Sequence, residues 1–268
     1  MSKTKDDDIR ASVRESYARI ARESSGCCGP ASAAPGCGCG TKEASSISKA
    51  VGYSEKELGA VPDGADLGLG CGNPTAIAAL KAGETVLDLG SGGGLDCFLA
   101  AKRVGPEGKV IGVDMTPEMI GKARANAAKS GYLNVEFRLG EIEHLPAADH
   151  SADVILSNCV INLSPDKPAV YGEAFRVLKP GGRLAISDIV ATKELPDAVR
   201  EDMAKWAGCV AGAALIDDLR KILTAIGFQD IRIRPKEESR EAIRTMTPGT
   251  DIADHVVSAT IEAFKPRA

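Results

Sequence analysis

The sequence predicts an α/β fold: a mostly parallel, seven-stranded, Rossmann-like sheet with helices on both faces, preceded by an N-terminal helix and a cysteine-rich flexible segment. Two observations predict it. From residue 85 onward short apolar strands alternate with helical stretches, the pattern of a parallel sheet covered on both sides. The first strand, 85–89, carries Asp88 and breaks into Gly90-Ser91-Gly92-Gly93-Gly94, from which an apolar helix (95–103) emerges. Such a strand-loop-helix opens a nucleotide-binding unit, because glycines let backbone approach a ligand closely. The dinucleotide fingerprint G-x-G-x-x-G needs Gly or Ala at position 95; Leu95 stands there, which points away from NAD.

Taken in order, the chain first offers a helix capped by Asp7 or Asp8, with Ile9, Val13, Tyr17 and Ile20 on one apolar face that packs on the main domain. Residues 24–41 are rich in Gly, Ala, Pro and Ser, cannot build a core, and hold Cys27-Cys28 and Cys37-Gly38-Cys39. Their readings are a redox or ligand-delivery pair, a zinc-binding tail, or incidental thiols in a linker. Ser54 caps a short helix (55–59), and Gly and Pro pin the turn 67–74 around Cys71. No side-chain shell surrounds a lone Cys in so tight a turn, so Cys71 reads as functional.

Strand 110–114 ends in Asp114, followed by Met115 and by Thr116, which caps a helix with Pro117 in its first position. Asp114 lies 20 residues after Gly94, where an acid takes a ribose hydroxyl pair in such folds. Strand 135–139 delivers Gly140-Glu141-Ile142 to the ligand end of the sheet, and strand 152–156 runs into Ser157-Asn158-Cys159-Val160-Ile161-Asn162-Leu163. A helix (169–178) stops at Lys179-Pro180-Gly181-Gly182, and 183–187 is the fifth strand. A helical insertion, 195–214, carries Met203, Trp206 and Cys209; a helix (218–226) ends at Gly227. The runs 228–233 and 255–264 are strands six and seven, separated by polar residues 235–250, with an antiparallel partner at the edge. The division expected is an N-terminal helix and cysteine/glycine-rich segment over 1–45 and a main domain over 46–268, with a substrate-binding insertion around 189–216.

Composition narrows the partners. Net charge is −4 and the pI near 5.6, and no Lys/Arg run exceeds two residues, so nucleic acid and anionic membranes are disfavoured. No apolar segment approaches the roughly 18 residues of a spanning helix, and the charged first ten residues are not a signal peptide. The location expected is the cytoplasm. Eight cysteines in a reducing compartment suggest catalysis or metal or metalloid binding rather than a disulfide framework.

The glycine loop, Asp114, Gly140-Glu141 and Leu178-Lys179-Pro180-Gly181-Gly182 together resemble the seven-stranded class I S-adenosylmethionine (SAM)-dependent methyltransferases. More narrowly, Gly70-Cys71-Gly72, Asp88 to Gly92 with Asp96-Cys97, Ser157 to Leu163 and Trp206-Ala207-Gly208-Cys209 resemble the arsenite methyltransferases. An arginine often follows the glycines in that family where Leu95 stands here. The resemblance implies SAM bound by Asp88, Gly90, Ser91, Gly92, Gly94, Asp114, Met115, Gly140, Glu141, Ile142 and Asn158. It implies arsenite or methylated arsenicals bound by Cys71, Cys159 and Cys209, and a redox partnership of Cys71 with Cys28 or Cys27, Cys37 and Cys39 being weaker candidates. Thioredoxin or glutathione would then regenerate the thiols.

The chemistry agrees with the residue types. Trivalent arsenic is soft, and thiolates are the ligands soft centres favour. Arsenic bound to thiols has no proton for a base to remove, and His144, His150 and His255 fall outside the site motifs. Cys97, on the apolar helix, reads as core. The alternatives are C- or O-methylation of another small molecule on the same fold, and a metalloid-binding protein without catalysis.

Overall fold

The computed structural model describes residues 3–23, 41–200, 202, 206, 208–247 and 250–267. In chain order the elements are α1 (Lys3–Glu23), α2 (Thr41–Ala50), α3 (Glu55–Leu58), α4 (Pro74–Ile77), β1 (Thr85–Leu89), α5 (Leu95–Val104), β2 (Lys109–Asp114), α6 (Pro117–Ser130), β3 (Val135–Leu139), β4 (Ala152–Asn158), a 3₁₀ turn (Ile161–Leu163), α7 (Lys167–Val177), β5 (Leu178–Ala191), α8 (Asp197–Arg200), α9 (Ile216–Ile226), β6 (Gln229–Lys236), α10 (Ser239–Met246), α11 (Ile252–His255) and β7 (Val256–Phe264). The seven strands form one sheet in the order β3-β2-β1-β4-β5-β7-β6. The pairs β1–β2, β1–β4, β2–β3 and β4–β5 are parallel; β7 runs antiparallel to both neighbours.

Successive strand residues face opposite sides of a sheet, and here each side has its own core. Val86, Val110, Val154 and Leu156 pack with Cys97, Phe98 and Ala101 of α5 and Ile120 and Ala123 of α6. Leu87, Leu89, Ile111, Val113 and Ile155 pack on the other side with Val170, Tyr171 and Ala174 of α7 and Leu219 and Leu223 of α9. Phe98 is fully buried between Tyr132 and Phe137, with ring centroids 4.7 and 5.8 Å away. At the amino ends of the strands Arg183 makes two bonds to the Glu84 carboxylate, at 2.7 and 2.9 Å.

Several elements differ from expectation. Helix α1 is already helical at Lys3, so Asp7 and Asp8 lie inside it; Asp7 instead pairs with Arg10, one turn on. Its expected face does dock: Ile9 and Val13 are buried, and Arg10–Glu143, Arg14–Glu141 and Arg22–Glu118 pairs span it. Helix α2 crosses the expected junction at 45/46. Thr116 stands at the N-cap of α6 as expected, but its hydroxyl bonds the Asp114 carboxylate rather than a helix N–H. Strand β5 begins at Leu178 and continues to Ala191, because β7 pairs with it from Arg183 to Ala191. The antiparallel strand lies between β5 and β6, one place in from the edge. Among its described residues the stretch 195–214 is helical in α8 and at Trp206, non-helical at Asp202, and in turns at 208–212. The polar run 235–250 contains α10, whose Ile243 is buried. No helix among the described residues is long and apolar enough to cross a membrane.

Truncating Phe98 to Ala leaves a cavity between α5 and β3 and is expected to cost about 3–5 kcal/mol, read as a lowered urea midpoint with an unchanged m-value.

Candidate active site

Strand order reverses between β1 and β4, and in such sheets a crevice opens beyond the carboxyl ends at that point. The cleft found there is lined by Gly90, Ser91, Gly92 and Gly93 after β1, Asp114 and Met115 after β2, Ile142 and Glu143 after β3, and Asn158 and Cys159 at the end of β4. Residues 66–70 close one side, and Arg10, Val13 and Tyr17 of α1 lie across another.

The glycine loop is held from three directions. The N–H groups of Gly90 and Ser91 donate to the Val113 carbonyl, Asn126 of α6 donates to the Gly93 carbonyl at 3.0 Å, and the Gly92 N–H donates to Asp114 Oδ2 at 3.0 Å. Gly92 has φ +51, and a Cβ there would meet nothing within 4 Å. It is thus a backbone surface open to the cleft. Asp114 also accepts from the Thr116 N–H at 2.8 Å, and burial holds its carboxyl above the usual range despite those bonds. The Ser91 hydroxyl is buried without a partner. An open glycine backbone, an orphaned hydroxyl and an acid at the end of β2 fit an adenosyl group with its ribose.

Asn158 joins this cleft to Cys71. Its Oδ1 accepts the Cys71 N–H at 3.1 Å, and its Nδ2 donates to the Gly72 carbonyl at 2.8 Å, the Tyr53 hydroxyl at 2.8 Å and Asp96 Oδ2 at 3.2 Å. The glycines flanking Cys71 now have a reason. A Cβ on Gly70 would lie 2.6 Å from the Asn158 amide and one on Gly72 2.6 Å from Ser187 Oγ, so only glycine lets the turn lie this close to β4 and β5.

Cys159 follows β4 with φ +60, its N–H bonded to the Ser187 carbonyl at 2.8 Å; Cys209 has φ +61. Left-handed backbone at a non-glycine residue costs of order 1–2 kcal/mol and is found at sites the surrounding structure over-determines. The Cys209 thiol lies 2.7 Å from the Cys159 carbonyl and within hydrogen-bond reach of the Cys159 thiol, which in turn contacts that of Cys71. Asn162 anchors the Cys209 carbonyl at 3.3 Å, and the Tyr17 hydroxyl bonds the Cys209 thiol. Cys159 and Cys209 are buried and Cys71 half-buried. Burial pushes the Cys71 thiol up. Contact with Cys159, then burial, does the same for Cys209; for Cys159 the contact with Cys71 and burial outweigh the opposing bond from Cys209.

The expected site residues thus divide. Cys71, Cys159 and Cys209 meet; Gly90, Ser91, Gly92, Asp114, Met115, Ile142 and Asn158 line the cleft with Asp88, which is buried and accepts from the Cys97 thiol at 3.2 Å. Cys97 is core, as expected, though bonded to a carboxylate. Gly94 starts α5 against Phe98, the Gly140 N–H donates to the Asp114 carbonyl, and Glu141 pairs with Arg14; none of the three lines the cleft. Cys27 and Cys28, with Cys37 and Cys39, lie outside the described residues.

Sequence reasoning missed Tyr53, Glu143 and the role of Tyr17, which no local pattern marks, and it noted Asp96 only as part of a family motif, without a role. It also passed over Asp188, whose signal was available: an acid closing an apolar run, as Asp114 does. Asp188 is buried, with an oxygen within 4.8 Å of both the Cys71 and Cys159 sulfurs, and burial raises its pKa to about 7. Asp96, also buried, is raised to about 6.

A Rossmann-like sheet with this strand order, a glycine loop at the switch point and an acid ending β2 defines the class I SAM-dependent methyltransferases. The methyltransferase domain family model matches residues 80–227. Arsenite methyltransferase of Halobacterium salinarum is 54% identical over 264 residues, 97% of this chain and 67% of the relative. That of Aquipseudomonas alcaligenes is 47% identical over 204 residues, 73% of this chain and 58% of the relative. The crystal structure of an arsenic(III) S-adenosylmethionine methyltransferase from Chlamydomonas reinhardtii superposes with a TM-score of 0.63 at 35% identity, covering 82% of this chain and 74% of that one. The chain belongs to the arsenite methyltransferase family, and its methyl donor is SAM. It spans about two thirds of the length of the first of these relatives and less of the second.

Two outcomes test the site. Asp114→Ala removes charged hydrogen bonds worth about 1.5–3 kcal/mol each, so SAM affinity measured by calorimetry should fall about 10- to 100-fold. Asp188 and Asp96 keep in the folded chain protons that the unfolded chain loses near the ordinary value of 3.8, so their ionisation opposes folding progressively as pH rises through about 6 and about 7. Asp188→Asn should therefore gain stability relative to the parent as pH climbs from 4 to 7, read by urea unfolding at each pH.

Proposed function

We propose that the chain transfers methyl groups from SAM to trivalent arsenic held by Cys71, Cys159 and Cys209, converting arsenite to methyl- and dimethylarsenicals in arsenic detoxification. The observation that carries the ligand assignment is the contact chain of three thiols from three separate segments, with Cys159 lining the cleft that the glycine loop and Asp114 wall. Family membership supports the substrate.

Each ligand exchange forms an As–S bond and breaks an As–O bond; the thiol proton leaves with the hydroxide as water. Raised thiol pKa values suit this exchange, because protonated thiols deliver the proton that departing oxygen needs. Three such exchanges leave a pyramidal arsenic with its lone pair free. Bound in the cleft, SAM supplies an electrophilic methyl group. The chain's own contribution is placement: Asn158 sets Cys71, the left-handed turns set Cys159 and Cys209, and Tyr17 covers them. Fixing two reactants in this way contributes up to about 7–11 kcal/mol. The insertion around 189–216 supplies Cys209 and serves as the substrate-binding element of the 46–268 domain, with 1–45 as its N-terminal appendage.

Methylation takes arsenic from the trivalent to the pentavalent state. We assign its re-reduction to Cys71 with Cys28 or Cys27, Cys37 and Cys39 being the weaker partners: two thiols become a disulfide, and their two electrons return arsenic to the trivalent state. Thioredoxin or glutathione then restores the thiols, in the cytoplasm.

Methylarsenite has two valences left for thiols, and arsenite three. In an assay with SAM and a thiol reductant, resolving arsenicals by chromatography, Cys159→Ser and Cys209→Ser are each expected to reduce turnover of both substrates about 100-fold or more. Cys71→Ser should impair arsenite far more than methylarsenite; equal losses on both would refute the ligand assignment.

A further inference from the structure

Arsenic leaves one group at this site unused. Asp188 is buried beside the thiols, and its oxygens accept the backbone N–H groups of Ile189 at 2.8 Å, Asn162 at 3.3 Å and Ile161; the nearby Lys167 ammonium bonds the Ser164 carbonyl instead. A trivalent centre with three thiols and a lone pair has no place for a carboxylate. A buried carboxylate without a direct charged partner is costly, and its surroundings here are thiols.

The ligand atoms of Cys71, Cys159 and Asp188 all lie within 4.8 Å of one another, and the Cys209 thiol touches that of Cys159. Zinc takes four donors at about 2.0–2.3 Å from thiolate, imidazole or carboxylate in a tetrahedron, which puts neighbouring donors roughly 3.3–3.8 Å apart. Reaching that spacing draws the three donors together from within 4.8 Å and brings in Cys209, which lies outside that group and touches it through Cys159. Three thiolates and a carboxylate suit a dication and leave a surplus of two negative charges, part of which the nearby Lys167 ammonium offsets.

We propose that Cys71, Cys159 and Asp188, with Cys209 in the fourth position, form a divalent zinc site that overlaps the arsenic site. Zinc binding releases the thiol protons to solvent and occupies the sulfurs arsenic needs, so zinc competes with arsenite; of its ligands only Cys159 also lines the methyl-donor cleft, and the glycine loop and Asp114 are not among them. The consequence for methylation rests on the arsenic reading above; the metal site does not. Asp188 separates the two ligands, because zinc uses its oxygen and arsenic does not.

The test is titration of the reduced 268-residue chain with cobalt(II), then displacement by zinc. The expected result is the intense visible absorption of tetrahedral cobalt with sulfur-to-cobalt charge transfer in the near ultraviolet, bleached by stoichiometric zinc. Asp188→Asn should weaken cobalt and zinc binding about ten-fold or more, on the scale seen when supporting groups of metal sites are removed. Arsenite binding should be unchanged, read from the fluorescence of the single tryptophan, Trp206, which shares a cluster with Cys159 and Cys209. Calorimetric SAM binding reports that the variant is folded. If it is not, Cys71→Ser decides: it must lose part of the charge-transfer intensity. A weak octahedral spectrum, full cobalt affinity in Asp188→Asn, or undiminished charge transfer in Cys71→Ser overturns the zinc site. Protein that binds cobalt but not arsenite upholds the zinc site and overturns the arsenic reading instead. In steady state, zinc should raise the KM for arsenite and leave SAM affinity unchanged; inhibition that arsenite does not relieve would also overturn the overlap.

Discussion

The side-chain amide of Asn158 is the constraint on which the site depends. It stands at the carboxyl end of β4, at the point where strand order reverses, and its two ends bind segments distant in sequence. One end takes the Cys71 N–H; the other reaches Gly72, Tyr53 and Asp96. A neutral hydrogen bond contributes only about 0.5–1.5 kcal/mol net, but a satisfied buried network fixes a unique geometry, and loss of its centre strands several polar groups at once. Through this residue, with the Ser258 hydroxyl on the Cys71 carbonyl at 2.8 Å, the turn that carries a thiol is held against the strand that Cys159 follows, and both against the helix that follows the glycine loop.

Backbone conformation complements that network. Cys159 and Cys209 both adopt left-handed conformations, and the cost is met by the packing around them: Asn162 bonds the Cys209 carbonyl, and a Cβ at Gly212 would collide with the Asn162 carbonyl. The strain turns two thiols toward each other from segments 50 residues apart. Helix α1 closes the arrangement, with Ile9 and Val13 in the same cluster as the thiols and three arginines pairing with acids on the main domain.

Charge is distributed to one purpose. Asp66, Asp88, Asp96, Asp114 and Glu143 line the cleft against one cation, Arg10, which is itself paired with Glu143. An acid-walled crevice raises the local concentration of cations, and SAM carries its reactive methyl on a positive sulfur. Burial raises the carboxyls of Asp88, Asp96 and Asp114 above the ordinary carboxylate range.

Local pattern determined the sheet. Strands 85–89 and 135–139 fall where alternation and glycine place them, and the Gly227 stop of α9 and the Ser54 cap of α3 follow from short-range backbone chemistry. The sequence also marked the three thiols, because cysteine in glycine-rich turns and at strand ends is chemically conspicuous. Only the tertiary structure decided that β7 inserts antiparallel between β5 and β6, since pairing partners are a matter of edges meeting in space. It likewise decided that Asp188 faces the thiols, that Tyr17 covers Cys209, and that Glu141 turns to Arg14 while Glu143 faces the cleft. Periodicity reports which face of an element a residue occupies. What that face meets is set by long-range packing, which no window along the chain contains.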